Sequence, residues 1–171
     1  EREFRSGLAE VVKHGVIADA DLFALLEAQA GAIQRREPAV LETVVARNCA
    51  IKAGVVEADE REGGRRAILN FGHTIGHALE AALTYGSVTH GEAVARGMQV
   101  AAELSVLRGL CARREADRLA ALLRRFGLLE TSLPPFEALV PYILTDKKRR
   151  DGVLQFVLTH GVGNATLAPF S

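Results

Sequence analysis

Tryptophan is absent from this sequence, and aromatic side chains of any kind make up only 5% of it. The stacking platforms that hold unpaired bases are therefore scarce. An excess of either charge is missing too, because 21 Lys and Arg balance 21 Asp and Glu. Without a basic face, nucleic acid is not an expected partner. No apolar run approaches the ~20 residues of a membrane-spanning helix, so no membrane partner is expected either. The opening residues Glu1-Arg2-Glu3-Phe4 are charged and lack the apolar segment of a secretory signal. Cysteine is limited to Cys49 and Cys111, in helix-like patterns with no paired spacing. Both are expected as buried, reduced thiols of a cytoplasmic protein. Internal repeats and low-complexity tracts are lacking. So is a dinucleotide-binding unit: Gly161-Val162-Gly163 has the first glycines of such a fingerprint, but no helix follows them.

What is present is helical periodicity. Apolar residues at 8, 11, 12 and 16 predict a helix from Phe4 to about Ile17, with Ser6 as a candidate cap. A second helix starts at Asp19 or Asp21 and runs to about Ala30, where Gly31 is expected to interrupt it. Pro38 suits the first turn of a long helix reaching about Arg61, and Gly63-Gly64 ends it. Further helices are expected over Asn70 to Leu83, from His90 or Gly91 to Gly109, over Ala112 to Phe126, and over Phe136 to Leu144. Gly97 and the many alanines around it point to close helix packing. Arg149 and Arg150, followed by Asp151-Gly152, read as an exposed loop. The period then changes. Val153 to Leu158 and Ala165 to Ala168 flank Gly161-Val162-Gly163-Asn164, which reads as a β-hairpin. The expected fold is mainly α, a helical bundle with a small C-terminal β-hairpin.

Histidine and carboxylate placement carries the chemistry. His73 and His77 are four apart and share a helix face. His90 opens another helix, and Glu10 sits in the apolar run Leu8-Ala9-Glu10-Val11-Val12, where an unpaired carboxylate is costly to bury. Glu10, His73 and His90 come from three helices that can converge on a bundle core. Two imidazoles and a carboxylate form a divalent-metal set, zinc first, that leaves positions open for water or substrate oxygens. His77 can be a fourth ligand or a proton carrier beside the metal, and the second role is preferred. Lys13, Lys52, Arg66, Lys147 and Lys148 flank or interrupt apolar patterns. Converging on one metal, they would bind a multiply anionic substrate, Arg gripping a carboxylate and Lys a phosphate.

Three blocks closely resemble the 3-dehydroquinate synthase family: Phe4-Arg5-Ser6-Gly7-Leu8-Ala9-Glu10-Val11-Val12-Lys13-His14-Gly15, Leu69-Asn70-Phe71-Gly72-His73-Thr74-Ile75-Gly76-His77 and His90-Gly91-Glu92-Ala93-Val94. So do Asp59-Glu60-Arg61-Glu62-Gly63 and Asp146-Lys147-Lys148, with Ile143 and Thr145 departing from the more usual residues before Asp146. The resemblance spans nearly the whole chain. It implies the C-terminal, helical, metal-binding domain of a two-domain enzyme, residues 1–171 forming that domain. An N-terminal domain holding most of the NAD+ site would be missing. The chain has no initiating Met and carries active-site-like residues within ten positions of its start, so a piece of a longer protein is expected.

The reaction that the resemblance implies turns 3-deoxy-D-arabino-heptulosonate 7-phosphate into 3-dehydroquinate and phosphate, in the shikimate route to aromatic amino acids. NAD+ oxidises a ring hydroxyl transiently, phosphate is eliminated, the ketone is reduced, and the ring reopens and closes by aldol chemistry. By resemblance Glu10, His73 and His90 hold Zn2+ or Co2+, which binds two adjacent hydroxyl oxygens. Lys52 and Arg66 would hold the substrate carboxylate. Asn70 and the block with Lys147 and Lys148 would hold phosphate, and Lys13 and His77 would stand near the reacting hydroxyls.

Three other readings compete. A related sugar phosphate cyclase would use the same chemistry, but Arg66 with Lys52 favours a carboxylate-bearing substrate. A metal-dependent polyol dehydrogenase would not need the phosphate-suited Asp146-Lys147-Lys148. A non-catalytic metal-binding or oligomerisation module would bind zinc without turnover. A homo-oligomer is compatible with every reading.

Overall fold

The computed structural model describes residues 1–58, 65–83, 86–145, 149–150 and 153–170. Helix α1 spans Arg2–Ala18 and buries Leu8, Ala9, Val12 and Val16, so the 3.6-residue stripe of the sequence is the face that enters the core. Ser6 is not its cap. It lies inside the helix, and its Oγ accepts from the Gly91 N–H at 3.0 Å. Asp19 does cap α2 (Ala20–Gln34), accepting from Leu22 N–H at 2.9 Å. α2 continues through Gly31 to Gln34, because Ala30 and Ile33 on either side are fully buried. Their burial outweighs the ~1 kcal/mol that a mid-helix glycine costs.

Pro38 opens α3 (Pro38–Glu57) as expected. Cys49 on α3 is exposed, which corrects the expectation that both thiols are buried; Cys111 is buried. The reason is that α3 buries only Val44 and Val55, so its sequence lacks a stripe from which a face could be read. A 3-10 turn follows over Arg65–Asn70, and then α4 (His73–Ala82). The expected helix therefore starts three residues late. Gly72 at φ 80 separates the two pieces, and a side chain there would meet Met98.

Helix α5 (His90–Leu107) crosses α4 at backbone contact. A Cβ at Gly97 would run into the Gly72 carbonyl, so the close packing expected around Gly97 is present. The start of α5 is closed by a capping box of Thr89 and Glu92. Helices α6 (Arg113–Arg125) and α7 (Phe136–Thr145) complete the bundle. Arg118 of α6 binds Glu27 of α2 at 2.7 Å.

The β-hairpin is β2 (Val153–Gly161) with β3 (Asn164–Phe170), antiparallel, pairing Phe156 with Ala168 and Leu158 with Thr166. Arg149–Arg150 is not a loop but a two-residue strand, β1, on the open edge of β2. So short a ladder has no periodicity to read. Ser105 of α5 accepts from the Thr159 N–H at 3.0 Å, and the Gly163 N–H donates to Val16 of α1 at 2.8 Å, so the hairpin is bound to both α1 and α5. One core joins α1, α2, α5 and α6 around Val12, Phe23, Met98 and Leu123; a second joins α4, α7 and β2 around Leu79, Ile143 and Phe156. Among the described residues, no helix is long and apolar enough to cross a membrane.

Candidate metal centre

Three helices bring their side chains to one point. Glu10 comes from the middle of α1, His73 from the first turn of α4 and His90 from the first turn of α5. One ligand atom from each lies within 4.8 Å of the others. Donors about 2.1 Å from a common tetrahedral ion stand ~3.4 Å apart, so the set needs only a small contraction to close on zinc. The pair His73 Nε2 and Glu10 Oε1 is already at 3.7 Å. The local cause of this convergence is the anchoring of α5 on α1. Arg2 binds Glu92 at 2.8 Å, and Ser6 takes the Gly91 N–H, so the helix that begins with His90 starts over the helix that carries Glu10.

The electrostatics suit a cation. Lys13 is only 3% exposed and its ammonium donates to Glu10 Oε2 at 2.6 Å. Burial pushes the Lys13 ammonium pKa down, against the pull of Glu10. Burial also pushes the Glu10 carboxyl up, but the charge and hydrogen bond of Lys13, with His73 and His14, hold it below the usual range on balance. Glu10 is thus a carboxylate with one oxygen occupied. Its other oxygen, Oε1, is buried and has no hydrogen-bond partner among the described residues. An orphaned buried carboxylate oxygen facing an imidazole nitrogen fits a metal ligand and is otherwise costly.

His73 is prepared in the same sense. A carbonyl can only accept, so the 3.2 Å contact with Phe71 O makes Nδ1 the donor and puts the lone pair on Nε2, toward Glu10. Burial, reinforced by Lys13, lowers its pKa to about 4, so it is neutral at pH 7 and able to ligate. His90 contacts Glu80 Oε1 through Nδ1 at 3.1 Å.

The other expected site residues are distributed around this point. His77 is exposed one turn beyond His73, its ring centroid 5.5 Å from that of His73 and 6.3 Å from that of His90. It stands outside the three-ligand group. Lys52 is exposed on α3, near enough that its charge helps to lower Lys13 and His14. Arg66 is exposed in the 3-10 turn, and Asn70 is half-buried at its end. Lys147 and Lys148, with Asp146 and the stretch Asp59 to Gly63, lie outside the described residues.

Two features went unread in the sequence. His14, buried, donates from Nδ1 to Asn48 Oδ1 at 2.5 Å, joining α1 to α3. Burial, foremost, lowers the pKa of this imidazole. Glu80 lies seven residues after His73, two turns along the same face, and that spacing is the signal that could have found it.

Residues 7–149 match the family described as 3-dehydroquinate synthase C-terminal. The chain belongs to the 3-dehydroquinate synthase family. A curated 3-dehydroquinate synthase from Pelobacter propionicus is 47% identical over 170 residues, covering 98% of this chain and 47% of the relative. One from Acidithiobacillus ferrooxidans is 48% identical over 169 residues, covering 98% and 46%. The chain thus spans about half the length of the curated relatives it matches. Among solved structures, 2-epi-5-epi-valiolone synthase from Streptomyces hygroscopicus, with NAD+ and Zn2+ bound, superposes with a TM-score of 0.87 at 29% identity. That match covers 99% of this chain and 48% of the other. A 2-deoxy-scyllo-inosose synthase complexed with carbaglucose-6-phosphate, NAD+ and Co2+ gives a TM-score of 0.79 at 27% identity, covering 98% and 49%. Both solved structures share the helical architecture described above.

Proposed function

We propose that residues 1–171 are the metal- and substrate-binding domain of a 3-dehydroquinate synthase, acting on 3-deoxy-D-arabino-heptulosonate 7-phosphate. The observation that carries this reading is the convergence of Glu10, His73 and His90 around the unpartnered Glu10 Oε1. The curated relatives bear that enzyme's name over almost the whole chain, which favours it over the cyclases met among the solved structures. The matched proteins are named as synthases, which weighs against a polyol dehydrogenase, and the NAD+ with Zn2+ or Co2+ bound in two of the solved structures weighs against a module without catalysis.

Glu10, His73 and His90 would hold the divalent ion. When bound, that ion supplies Lewis-acid polarisation of substrate hydroxyls, and NAD+ supplies the hydride acceptor. NAD+ would be bound mainly by the part of the relatives' length that this chain does not span. The Lys13 ammonium keeps Glu10 ionised and stands beside it as a proton-bearing group. His77, exposed at the rim of the ligand cluster, would carry protons to and from the substrate. Lys52 and Arg66 would bind the carboxylate, and Asn70 with Lys147 and Lys148 the phosphate. The working compartment would be the cytoplasm. The test is an assay of phosphate release from the heptulosonate phosphate, with NAD+ and zinc, on the chain in its full-length context. No release, with zinc bound, would leave the non-catalytic module as the better reading.

A further inference from the structure

Beyond the three ligands, the geometry points to Glu80 as the positioning residue for His90, the carboxylate that sets which ring nitrogen faces the metal. This rests on the metal site proposed above. His90 is the most exposed of the three ligands and sits at the first position of α5. Its side chain is 47% exposed, against 13% for His73. A ring so placed would be free to rotate unless something outside α5 holds it. Glu80 of α4 is that restraint, with Oε1 at 3.1 Å from His90 Nδ1.

The direction of the bond follows from the chemistry of the partners. An ionised carboxylate has only lone pairs to offer, so Nδ1 must carry the proton. The Nε2 lone pair is then the one available to a cation, and the carboxylate raises its basicity. His73 is held in the same tautomer by a carbonyl, that of Phe71. Both histidines would therefore ligate through Nε2, each with its Nδ1–H engaged by an acceptor. Helix α4 supplies one ligand, His73, and two turns later the group that orients another. Glu80 itself would not touch the metal, since the three-ligand group excludes it.

The experiment compares Glu80→Ala, Glu80→Gln and His73→Ala in the 171-residue chain by zinc competition against a chromophoric chelator. Thermal melts of the metal-free forms check folding. Glu80→Ala is expected to raise the zinc Kd by ~10–100-fold, as loss of an outer carboxylate does. Glu80→Gln keeps an oxygen acceptor without the charge and should lose less. A second readout is the histidine nitrogen NMR of the metal-free chain: the His90 Nδ1–H tautomer should dominate in the parent and give way to a mixture in Glu80→Ala. A merely structural role would not move that signal. If His73→Ala loses zinc while Glu80→Ala binds within ~2-fold of the parent, the Glu80 role is overturned and the metal site stands. If His73→Ala keeps its zinc, the site reading fails and this inference goes with it. Should Glu80→Ala melt early, Glu80→Gln decides: weakened zinc binding with a parent-like melt supports the role, and parent-like affinity overturns it.

Discussion

Lys13 donates to Oε2 of Glu10 at 2.6 Å and leaves Oε1 of the same carboxylate buried, without a hydrogen-bond partner among the described residues. The salt bridge holds the carboxylate ionised, and the other oxygen faces His73 Nε2 at 3.7 Å. If that oxygen is a ligand, Glu10→Ala, His73→Ala and His90→Ala should each weaken zinc binding by at least ~10-fold, since each removes a direct bond to the ion. Zinc content after dialysis is the measurement. Stoichiometric metal in all three variants would refute the assignment.

The chain with no metal bound should lose stability on acidification earlier than its carboxylates alone would require. His73 has its folded pKa lowered to about 4, and His14 is lowered as well, both chiefly by burial. The unfolded chain, with His near 6.5, therefore binds more protons than the folded chain between about pH 6.5 and pH 4. Stability should fall as pH drops through that window, by about 1–3 kcal/mol for His73, whose contribution then levels off while Glu10, held below its usual range, continues the loss at lower pH. Chemical denaturation of the metal-free chain across the window tests this. His73→Gln should flatten the slope.

Gly97→Ala should be severe for a single methyl group. The new Cβ would meet the Gly72 carbonyl and the Gly76 nitrogen, both backbone atoms that cannot swing aside. Overpacking of this kind costs about 1–3 kcal/mol or more. Because the α4–α5 crossing also sets the distance between His73 and His90, zinc affinity should fall along with the melting temperature. A parent-like melt would show that the helices separate without strain.

If Arg66 binds the substrate carboxylate as proposed, Arg66→Lys should separate substrate recognition from the metal. Arg66 is exposed in the 3-10 turn and is no ligand of the three-residue group. A guanidinium can grip a carboxylate with two parallel hydrogen bonds, and a lysine cannot. In the full-length enzyme the substitution should weaken binding of a carboxylate-bearing substrate analogue by ~1.5–3 kcal/mol, with zinc content unchanged. Unaltered affinity would remove Arg66 from the recognition set, and lost zinc would make it structural.

The 171-residue chain by itself should not turn over the heptulosonate phosphate, even with NAD+ and zinc supplied. The described sheet is a three-stranded antiparallel one, with no parallel strand and glycine-turn unit to place a nicotinamide over the metal. Phosphate release by the isolated chain would contradict this.

Much of the architecture is legible in the sequence because it depends on local rules. The apolar stripe of α1, the Asp19 cap, Pro38 at the start of α3 and the glycine-bearing hairpin after Val153 each follow from backbone periodicity and turn chemistry within a few residues. The candidate ligands Glu10, His73 and His90 stand out for a similar reason: a carboxylate in an apolar run and paired histidines are costly or unusual without a partner. Only the folded chain decides that they meet. The approach depends on contacts between residues far apart in sequence, Ser6 with Gly91 and Gly97 with Gly72, which no periodicity encodes. The same is true of the break at Gly72, the exposure of Cys49 and the bond from His14 to Asn48, while for Glu80 the sequence shows the shared face with His73 but not the contact with His90. Local propensity sets where a helix can form. The direction in which its polar side chains find partners is settled by packing, because a buried donor or acceptor is stable only where another element supplies its complement.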